Sequence, residues 1–168
     1  GGWGTVYCDD DGSVLGSMQY GPAGFFPRAA DLPAGPPSDD AVLVTCAYLT
    51  GEGAEWVEKS LFLAAIGEAR DQGAKALEAF SYRYPERETT TERFLVHRTV
   101  FPRDFLEDFG FVTVRAQGRV ELCRLELAGL PVRAAERRPE HPLVAAGGDC
   151  TYSPEPLADF LDFVVVGD

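Results

Sequence analysis

The chain has 168 residues, 45% of them hydrophobic, and a formal net charge of −12 at pH 7. This size and apolar fraction are typical of a single globular domain with its own core. The negative charge argues against a nucleic-acid partner, because few cations are available to neutralise phosphates. No apolar run approaches the roughly 18 residues of a membrane span, and no signal-peptide pattern opens the chain. We therefore expect a cytoplasmic protein with no membrane partner.

The cysteines lie far apart and form no C-x-x-C pair; they are Cys8, Cys46, Cys123 and Cys150. Three of them sit inside strand-like runs, where a free cysteine behaves as a small hydrophobic residue. This pattern predicts a reduced protein with neither a disulfide framework nor a zinc site. The Asp-Asp-Asp-Gly sequence at 9–12 lacks the later ligands of a calcium loop and is typical of a tight turn. We expect no metal site.

The first part of the chain predicts a hairpin and then a long loop. Residues 2–8 and 13–20 are strand-like and flank the turn at 9–12. Residues 21–40 contain five prolines and three glycines, which is typical of an irregular surface connection. Within this loop, Phe25 and Phe26 either line a substrate cleft or pin the loop to the core.

The central part of the chain predicts a βαβ unit. Residues 41–49 are nearly continuously apolar and β-branched, which indicates a strand buried on both faces. After a Gly-containing turn, residues 55–72 place apolar side chains on two adjacent helical stripes, and Gly73 is the expected end of that helix. Residues 76–82 restore a strand. The apolar positions of the predicted helix are 57, 61, 64 and 65 on one stripe and 62, 66 and 69 on the other.

The remainder predicts a short helix, a second hairpin and a C-terminal segment. Pro102 suits the first turn of a helix that ends at Gly110, and 111–115 and 120–127 are the strands of the hairpin. Residues 131–142 are typical of a linker, and 157–166 form an apolar element that is either a helix or a strand. We expect a domain at 1–130 and a linker with a docking segment at 131–168.

Several short motifs, taken in their order, resemble one protein family. They are Phe26-Pro27-Arg28-Ala29, Asp40-Ala41-Val42-Leu43-Val44-Thr45, Ala76-Leu77-Glu78-Ala79-Phe80, and Phe101-Pro102-Arg103-Asp104-Phe105-Leu106 followed by Gly110-Phe111. The chain from about residue 2 to 127 resembles the GNAT superfamily of acyl-CoA-dependent N-acyltransferases, especially its actinobacterial members. The resemblance implies an α/β fold with a mixed, mostly antiparallel sheet and one central parallel step.

The resemblance also implies a co-substrate, acetyl-CoA, and the residues that would bind it. In that fold the pantetheine arm lies along the central strand, which implies a role here for Cys46, Ala47, Tyr48 and Leu49. The pyrophosphate meets the following loop and helix start, and this implies a second set of residues, with a lysine one turn into the helix. That second set is Gly51, Gly53, Ala54, Glu55 and Lys59.

The chemistry that the resemblance implies is direct attack of an amine on the thioester, assisted by a base and often by a tyrosine acid. The acceptor is a small-molecule amine or a protein amino group. Candidate bases are Glu78, Asp40 or its neighbour Asp39, and His97, although each is also typical of a plain surface or core residue, and a surface carboxylate is the commoner state of the acids. The hydroxyl groups of Tyr48 and Tyr82 are candidates for the acid.

Three departures from the family pattern support an alternative function. The loop at 51–58 lacks a basic residue and instead carries Glu52, Glu55 and Glu58, although acidic residues at a helix start also favour the helix dipole. The usual tyrosine position is Leu106. The N-terminal strand and helices of the fold have no counterpart before Trp3. The alternative is therefore a catalytically impaired GNAT-like domain that serves as a binding or protein–protein interaction module. The candidate protein partners are a second copy of the chain, in a homodimer, or another protein.

Overall fold

We describe a computed structural model of the chain over residues 3–50, 54–84, 99–129, 133–137, 144–147, 158–159 and 161–165. The chain divides into two compact units, Gly1–Ala128 and Gly129–Asp168. None of the helices in these described ranges is both long and apolar enough to cross a membrane.

The first unit is built on one mixed sheet, which has seven strands within the described ranges. Neighbouring strands follow the order β1-β2-β3-β4-β7-β6, and the two-residue β5 lies beside β4. The β3–β4 pair is the central parallel step, β5 also runs parallel to β4, and the other pairs are antiparallel. The strands are β1 (Thr5–Cys8), β2 (Val14–Pro22), β3 (Ala41–Leu49), β4 (Ala76–Tyr82), β5 (Phe101–Pro102), β6 (Val112–Gln117) and β7 (Val120–Glu126).

This architecture confirms the predicted fold class, both hairpins and the βαβ unit. Helix α1 (Ala54–Asp71) connects β3 to β4, and Gly73 after it has a φ of 80°, the left-handed conformation that glycine adopts easily at a helix end. The second helix, α2 (Arg103–Asp108), begins one residue after Pro102, which occupies its N-cap rather than its first turn.

The predicted apolar stripes of α1 are buried, with one exception. Val57, Leu61 and Phe62 are at most 3% exposed, but Ala64 lies on the exposed surface. Phe62 is the centre of an aromatic cluster. Its ring contacts four other phenylalanines, in β5, in α2 and just after α2, at centroid distances of 4.9 to 6.3 Å. This cluster fixes α2 against α1. The four rings belong to Phe101, Phe105, Phe109 and Phe111.

The long loop between β2 and β3 is ordered by two short 3-10 turns, Ala23–Phe25 and Pro27–Asp31. Three of its alanines, Ala23, Ala29 and Ala34, join sheet residues in a core cluster that contains no residue of α1. The sheet residues are Leu43, Phe80 and Leu122. Phe26 packs against this cluster, whereas Phe25 is 64% exposed. The two phenylalanines therefore differ: Phe26 pins the loop to the core and Phe25 does not.

The second unit contains a small parallel pair, β8 (Ala145–Gly147) with β9 (Phe163–Val165). Part of the apolar C-terminal element is thus a strand, and residues 134–136 of the predicted linker form a 3-10 turn. Asp162 accepts a hydrogen bond from the Val144 N–H over 2.7 Å and pairs with Arg137 over 2.8 Å. The backbone hydrogen bond, and then the arginine, hold the pKa of Asp162 below its usual value.

Candidate functional site

The candidate site begins where the two central parallel strands separate. The β3–β4 register runs from Ala41↔Ala76 to Val44↔Ala79 and ends there. From Thr45 to Leu49, no described strand pairs with the β4-facing edge of β3. Strand β4 continues to Tyr82 with β7 paired on its other edge, and β5 pairs with Ser81 and Tyr82 on the edge that β3 has left. The two strands therefore form a wedge that opens toward their carboxyl ends.

A β-bulge at Thr45 is the local cause of this separation. Gln19 and Tyr20 are consecutive on β2, but their partners are Cys46 and Val44, so Thr45 is an extra residue on β3. The Thr45 hydroxyl donates to the Gln19 backbone oxygen over 3.2 Å and holds the bulge in place. A bulge bends its strand and increases the local twist, which turns the rest of β3 away from β4.

The separation corrects one prediction from the sequence. Strand β3 was expected to be buried on both faces along its whole length, but only Ala41–Val44 is buried, at 1 to 3% exposure. Beyond the bulge the side chains are half-buried or exposed, and Tyr48 is 61% exposed. The apolar sequence continues after Val44, yet the pairing of β3 with β4 does not.

The wedge has the geometry to accept an extended ligand. A strand edge without a partner presents backbone N–H and C=O groups that can pair with a linear, amide-containing molecule. Cys46–Leu49, the residues that the resemblance implies for the pantetheine arm, form this unpaired edge. Trp56 does not lie in the wedge, because its ring packs on Tyr7 of β1, at a centroid distance of 5.0 Å, on the far side of β2.

The residues expected to receive the pyrophosphate are only partly described. Gly51 and Gly53 lie outside the described residues, and Ala54 and Glu55 open α1. Lys59 is half-buried in the second turn of that helix. The described part of the chain thus contains the wedge and the helix start, but not the loop between them.

Glu78 occupies a very different environment from the surface position expected of it. The residue is 0% exposed, and its carboxylate accepts hydrogen bonds from the Ser38 N–H over 2.8 Å, the Ser38 hydroxyl over 2.6 Å and Arg124 Nη1 over 3.1 Å. The long loop covers it from one side and β7 from the other. Because Glu78 pairs with Leu43 in the register, it lies one residue before the wedge opens.

Asp40 is exposed, as expected, and lies at the other end of β3. It pairs with Arg124 over 3.0 Å, and this hydrogen bond holds the pKa of Asp40 below its usual value. Asp40 is four positions before Val44, which corresponds to about 13 Å along a strand. Asp40 and Glu78 thus meet on Arg124, but only Glu78 is next to the wedge.

The other predicted catalytic residues are scattered. His97 lies outside the described residues. Tyr48 is at the open end of the wedge, on β3, and Tyr82 ends β4 and contacts Tyr84 edge-on at 5.0 Å. Leu106, at the usual tyrosine position, is 0% exposed and lies in the core. A leucine there has neither a proton to donate nor access to a ligand.

Sequence reasoning missed a buried polar cluster at the carboxyl end of β4. Glu121 on β7 is 2% exposed and accepts hydrogen bonds from Arg103 Nε over 3.0 Å, from the Thr113 hydroxyl over 2.7 Å and from Arg83. Burial raises the pKa of Glu121, but the hydrogen bonds from Thr113 and Arg83 outweigh it and hold the pKa below its usual value. The alternating pattern of β7, which places Glu121 on the same face as Cys123, was the available signal.

A cleft of about 350 Å³ lies beside this cluster. Its walls come from the end of β4 and from α2, so both the wedge and the cleft are at the carboxyl ends of the central strands. The cleft is lined by Tyr82, Arg83, Tyr84, Arg103, Asp104 and Glu107. Within the described ranges, no group of three or more histidine, cysteine, aspartate or glutamate side chains is arranged to hold a metal ion.

Comparisons with known proteins give two kinds of similarity. A family model described as radical SAM proteins, N-terminal, matches residues 103–168, which is less than half of the chain. Among curated protein sequences, none is similar enough to this chain to count as a match.

Solved structures with a similar arrangement include three that cover 71 to 74% of this chain. A protein assigned to the GNAT family of acetyltransferases from Desulfovibrio desulfuricans is 17% identical, with a TM-score of 0.46 and 68% of its own length covered. TofI, in a ternary complex with an inhibitor and MTA, is 18% identical, with a TM-score of 0.47 and 63% covered. An N-acetyltransferase from Staphylococcus aureus Mu50 is 16% identical, with a TM-score of 0.42 and 64% covered.

These similarities are too low in identity and TM-score to carry an argument, and the chain spans only about two thirds of the length of these structures. The fold assignment rests on the molecule itself: the strand order, the central parallel step with its helical crossover, and the bulge at Thr45 where the strands separate. This chain has the fold of the GNAT superfamily of N-acyltransferases.

Proposed function

We propose that this protein transfers an acetyl group from acetyl-CoA to a small amine or to a protein amino group. The observation that supports the proposal is the wedge between β3 and β4, with the unpaired edge of Cys46–Leu49 beside it. A fold by itself does not establish an activity. An unpaired strand edge in the middle of a sheet can pair with an extended ligand, and this supports a binding role for Cys46–Leu49.

In the proposed reaction, the nitrogen lone pair of the acceptor attacks the thioester carbonyl carbon. The new C–N bond forms, the C–S bond breaks, CoA leaves as a thiolate and the nitrogen loses a proton. A main-chain N–H on the open edge of β3 would stabilise the negative charge that develops on the carbonyl oxygen. Cys46, Ala47, Tyr48 and Leu49 would hold the pantetheine arm.

The pyrophosphate would meet the backbone N–H groups at the start of α1, where the helix dipole favours an anion. Gly51, Gly53, Ala54 and Glu55 would supply those groups, with Lys59 one turn further. Such a reaction suits the reduced, cytoplasmic setting that the cysteine pattern predicts.

For proton transfer, Glu78 is a candidate because it lies one residue before the wedge opens. Its three hydrogen bonds to Ser38 and Arg124 favour a structural anchor over a general base, because a base needs a route to the acceptor proton. His97 and Asp40 stay as the alternative bases. Tyr48 and Tyr82 stay as candidates to protonate the thiolate.

The second candidate function is a GNAT-like domain that binds a protein partner, or a second copy of itself, without efficient acyl transfer. Two observations favour it. Leu106 is buried at the position of the usual acid, and the Glu78 carboxylate already accepts three hydrogen bonds, from Ser38 and Arg124. The acidic residues after β3 would also weaken the attraction for a pyrophosphate.

Isothermal titration of acetyl-CoA and desulfo-CoA at low salt tests the proposal directly. We expect a dissociation constant in the micromolar range, followed by acceptor-dependent release of CoA in a screen of amines. Absence of heat up to millimolar ligand would overturn the acetyltransferase proposal and favour the binding module.

A further inference from the structure

The cleft at the end of β4 combines two arginines, two tyrosines and two acidic residues. Arg83 Nη2 and Arg103 Nε both donate hydrogen bonds to the same buried carboxylate, that of Glu121. Arg103 also pairs with Glu107 over 2.9 Å, whereas the Arg83 side chain is 70% exposed at the cleft wall. One buried negative charge thus holds two positive charges in place.

This arrangement leaves the Arg83 guanidinium available to a ligand. Arg83 donates to Glu121 through Nη2, and a guanidinium has five N–H donors in a planar fork that matches a carboxylate. Nη1 of Arg103 is buried, and no described residue accepts a hydrogen bond from it. Because that atom is buried, a ligand in the cleft does not reach it, and the exposed Arg83 is the arginine that a carboxylate can contact.

The other groups of the cleft narrow the class of ligand. Asp104 and Glu107 place negative charge in the same walls, and the whole chain carries a net charge of −12. A ligand with only negative groups is therefore disfavoured, whereas a molecule with both a carboxylate and an amine is not repelled. The edge-on pair of Tyr82 and Tyr84 offers an apolar and π-rich wall for the carbon skeleton of such a molecule.

We propose that the acceptor of the acyl group is an amino acid, or a similar amine that carries a carboxylate, and that Arg83 binds this carboxylate. The inference rests on the proposed acyltransferase function and deepens it, because it names the acceptor class. Binding in the cleft places the acceptor at the carboxyl ends of the central strands, the end at which the wedge opens.

The test measures binding, so that it does not depend on turnover. Matched pairs of probes differ only in the carboxylate: L-phenylalanine with phenethylamine, L-leucine with isopentylamine, and L-lysine with cadaverine. Each is titrated into the full chain by ligand-observed NMR, with and without saturating desulfo-CoA. We expect at least one amino acid to bind about tenfold more tightly than its decarboxylated partner.

Three variants assign the effect to one residue. Arg83→Gln is expected to remove the preference for the amino acid, with affinity about tenfold lower, and Arg83→Lys to restore only part of it because the fork is lost. Arg28→Gln is the matched control, since Arg28 is exposed on the loop between β2 and β3 and is expected to change affinity less than about twofold. Thermal unfolding of each variant checks that it folds.

The outcomes separate this inference from the proposed function. If desulfo-CoA binds but the amines bind as well as the amino acids, or Arg83→Gln leaves the preference intact, the inference is overturned and the acyltransferase proposal stands. If an amino acid binds through Arg83 while desulfo-CoA does not bind at all, the acyltransferase proposal fails and the carboxylate site stands. Failure of every probe pair to bind overturns the inference as well.

Discussion

Glu78 on β4 lies directly opposite Arg124 on β7, and Arg124 Nη1 donates to Glu78 Oε1 over 3.1 Å. The same carboxylate accepts both the N–H and the hydroxyl of Ser38, so one buried charge connects the sheet to the long loop. Arg124 also pairs with Asp40 and Glu126 at the surface, and these hydrogen bonds, first the one with Glu126, raise its pKa. The loop is thereby fixed beside the strand that begins the wedge.

Replacing Glu78 with glutamine should destabilise the protein by about 2 to 4 kcal/mol, because the half-buried Arg124 loses its buried, charged partner and an amide cannot accept all three hydrogen bonds. Urea denaturation measures the loss. Hydrogen exchange adds a local readout, since the Ser38 N–H should exchange faster in the variant. Glu126→Gln is the control: its side chain is 64% exposed and should cost no more than about 0.5 kcal/mol. Equal costs for the two variants would contradict the anchor role of Glu78.

Glu121→Gln should cost about 3 kcal/mol near neutral pH, because two arginines lose a shared, buried carboxylate. The folded pKa of Glu121 lies below its usual value of 4.5, so this stabilisation is present above about pH 4.5 and is lost as the pH falls through the folded pKa. The difference between wild type and variant should therefore shrink in acid. Glu107→Gln, at a site 58% exposed, should show neither the cost nor the pH dependence. If the difference in the free energy of unfolding between wild type and Glu121→Gln grew as the pH falls, the predicted direction of the Glu121 pKa shift would be wrong.

Tyr20→Phe should cost about 1 kcal/mol at neutral pH, because the buried Tyr20 hydroxyl donates to Glu68. Burial, and then Glu68, raise the pKa of Tyr20 well above its usual value of 10.0. The unfolded tyrosine ionises first as the pH rises, so the wild type should lose its advantage over the variant above about pH 10. Denaturation curves from neutral to alkaline pH measure this, with Tyr48→Phe at a surface site as control. A stability difference between wild type and Tyr20→Phe that stays constant from neutral to alkaline pH would contradict the predicted link between the Tyr20 pKa and stability.

Ligand binding in the wedge should protect Cys46 from alkylation. Cys46 is half-buried on the open part of β3, within the segment proposed to hold the pantetheine arm. We expect saturating desulfo-CoA to slow its reaction with N-ethylmaleimide several-fold, as measured by peptide mass spectrometry. Cys8 is exposed and serves as an internal control whose rate should not change. Cys123 is buried, which raises its pKa, and should react slowest in both states. Protection of Cys8 to the same degree would place the ligand elsewhere.

Neutralising the acidic residues after β3 should strengthen the binding of desulfo-CoA. The combined change of Glu52, Glu55 and Glu58 to glutamine removes three negative charges near the expected pyrophosphate position, and we expect affinity to rise about tenfold at low salt. The gain should narrow at high salt, because screening weakens exposed charges.

A control variant keeps the same change of net charge away from α1. Asp10, Asp31 and Asp108 are exposed and lie in a turn, in the long loop and at the end of α2. Their combined change to asparagine should leave the affinity within about twofold. If this variant gains as much as the first, the effect comes from overall charge and not from the position of the glutamates.

The sequence predicted the elements and their types well because these depend on local patterns. Alternation of apolar residues, the apolar stripes of α1 and the glycine at its end are properties of a few neighbouring residues, and the structure confirms them. The resemblance to the GNAT superfamily then supplied the strand arrangement that those elements adopt. The burial of β3 was overestimated because an apolar run does not reveal where its neighbouring strand departs.

The positions of the charged residues could not be predicted in the same way. Glu78 was expected at the surface, and Glu121 with its two arginines was not recognised, because each is buried by residues 18 to 46 positions away in the chain. The wedge depends on one extra residue, Thr45, whose role is visible only in register with β2. The sequence by itself thus determined the order of elements and the fold class. Tertiary structure alone decided which carboxylates are buried and where the sheet opens, because both depend on contacts between distant parts of the chain.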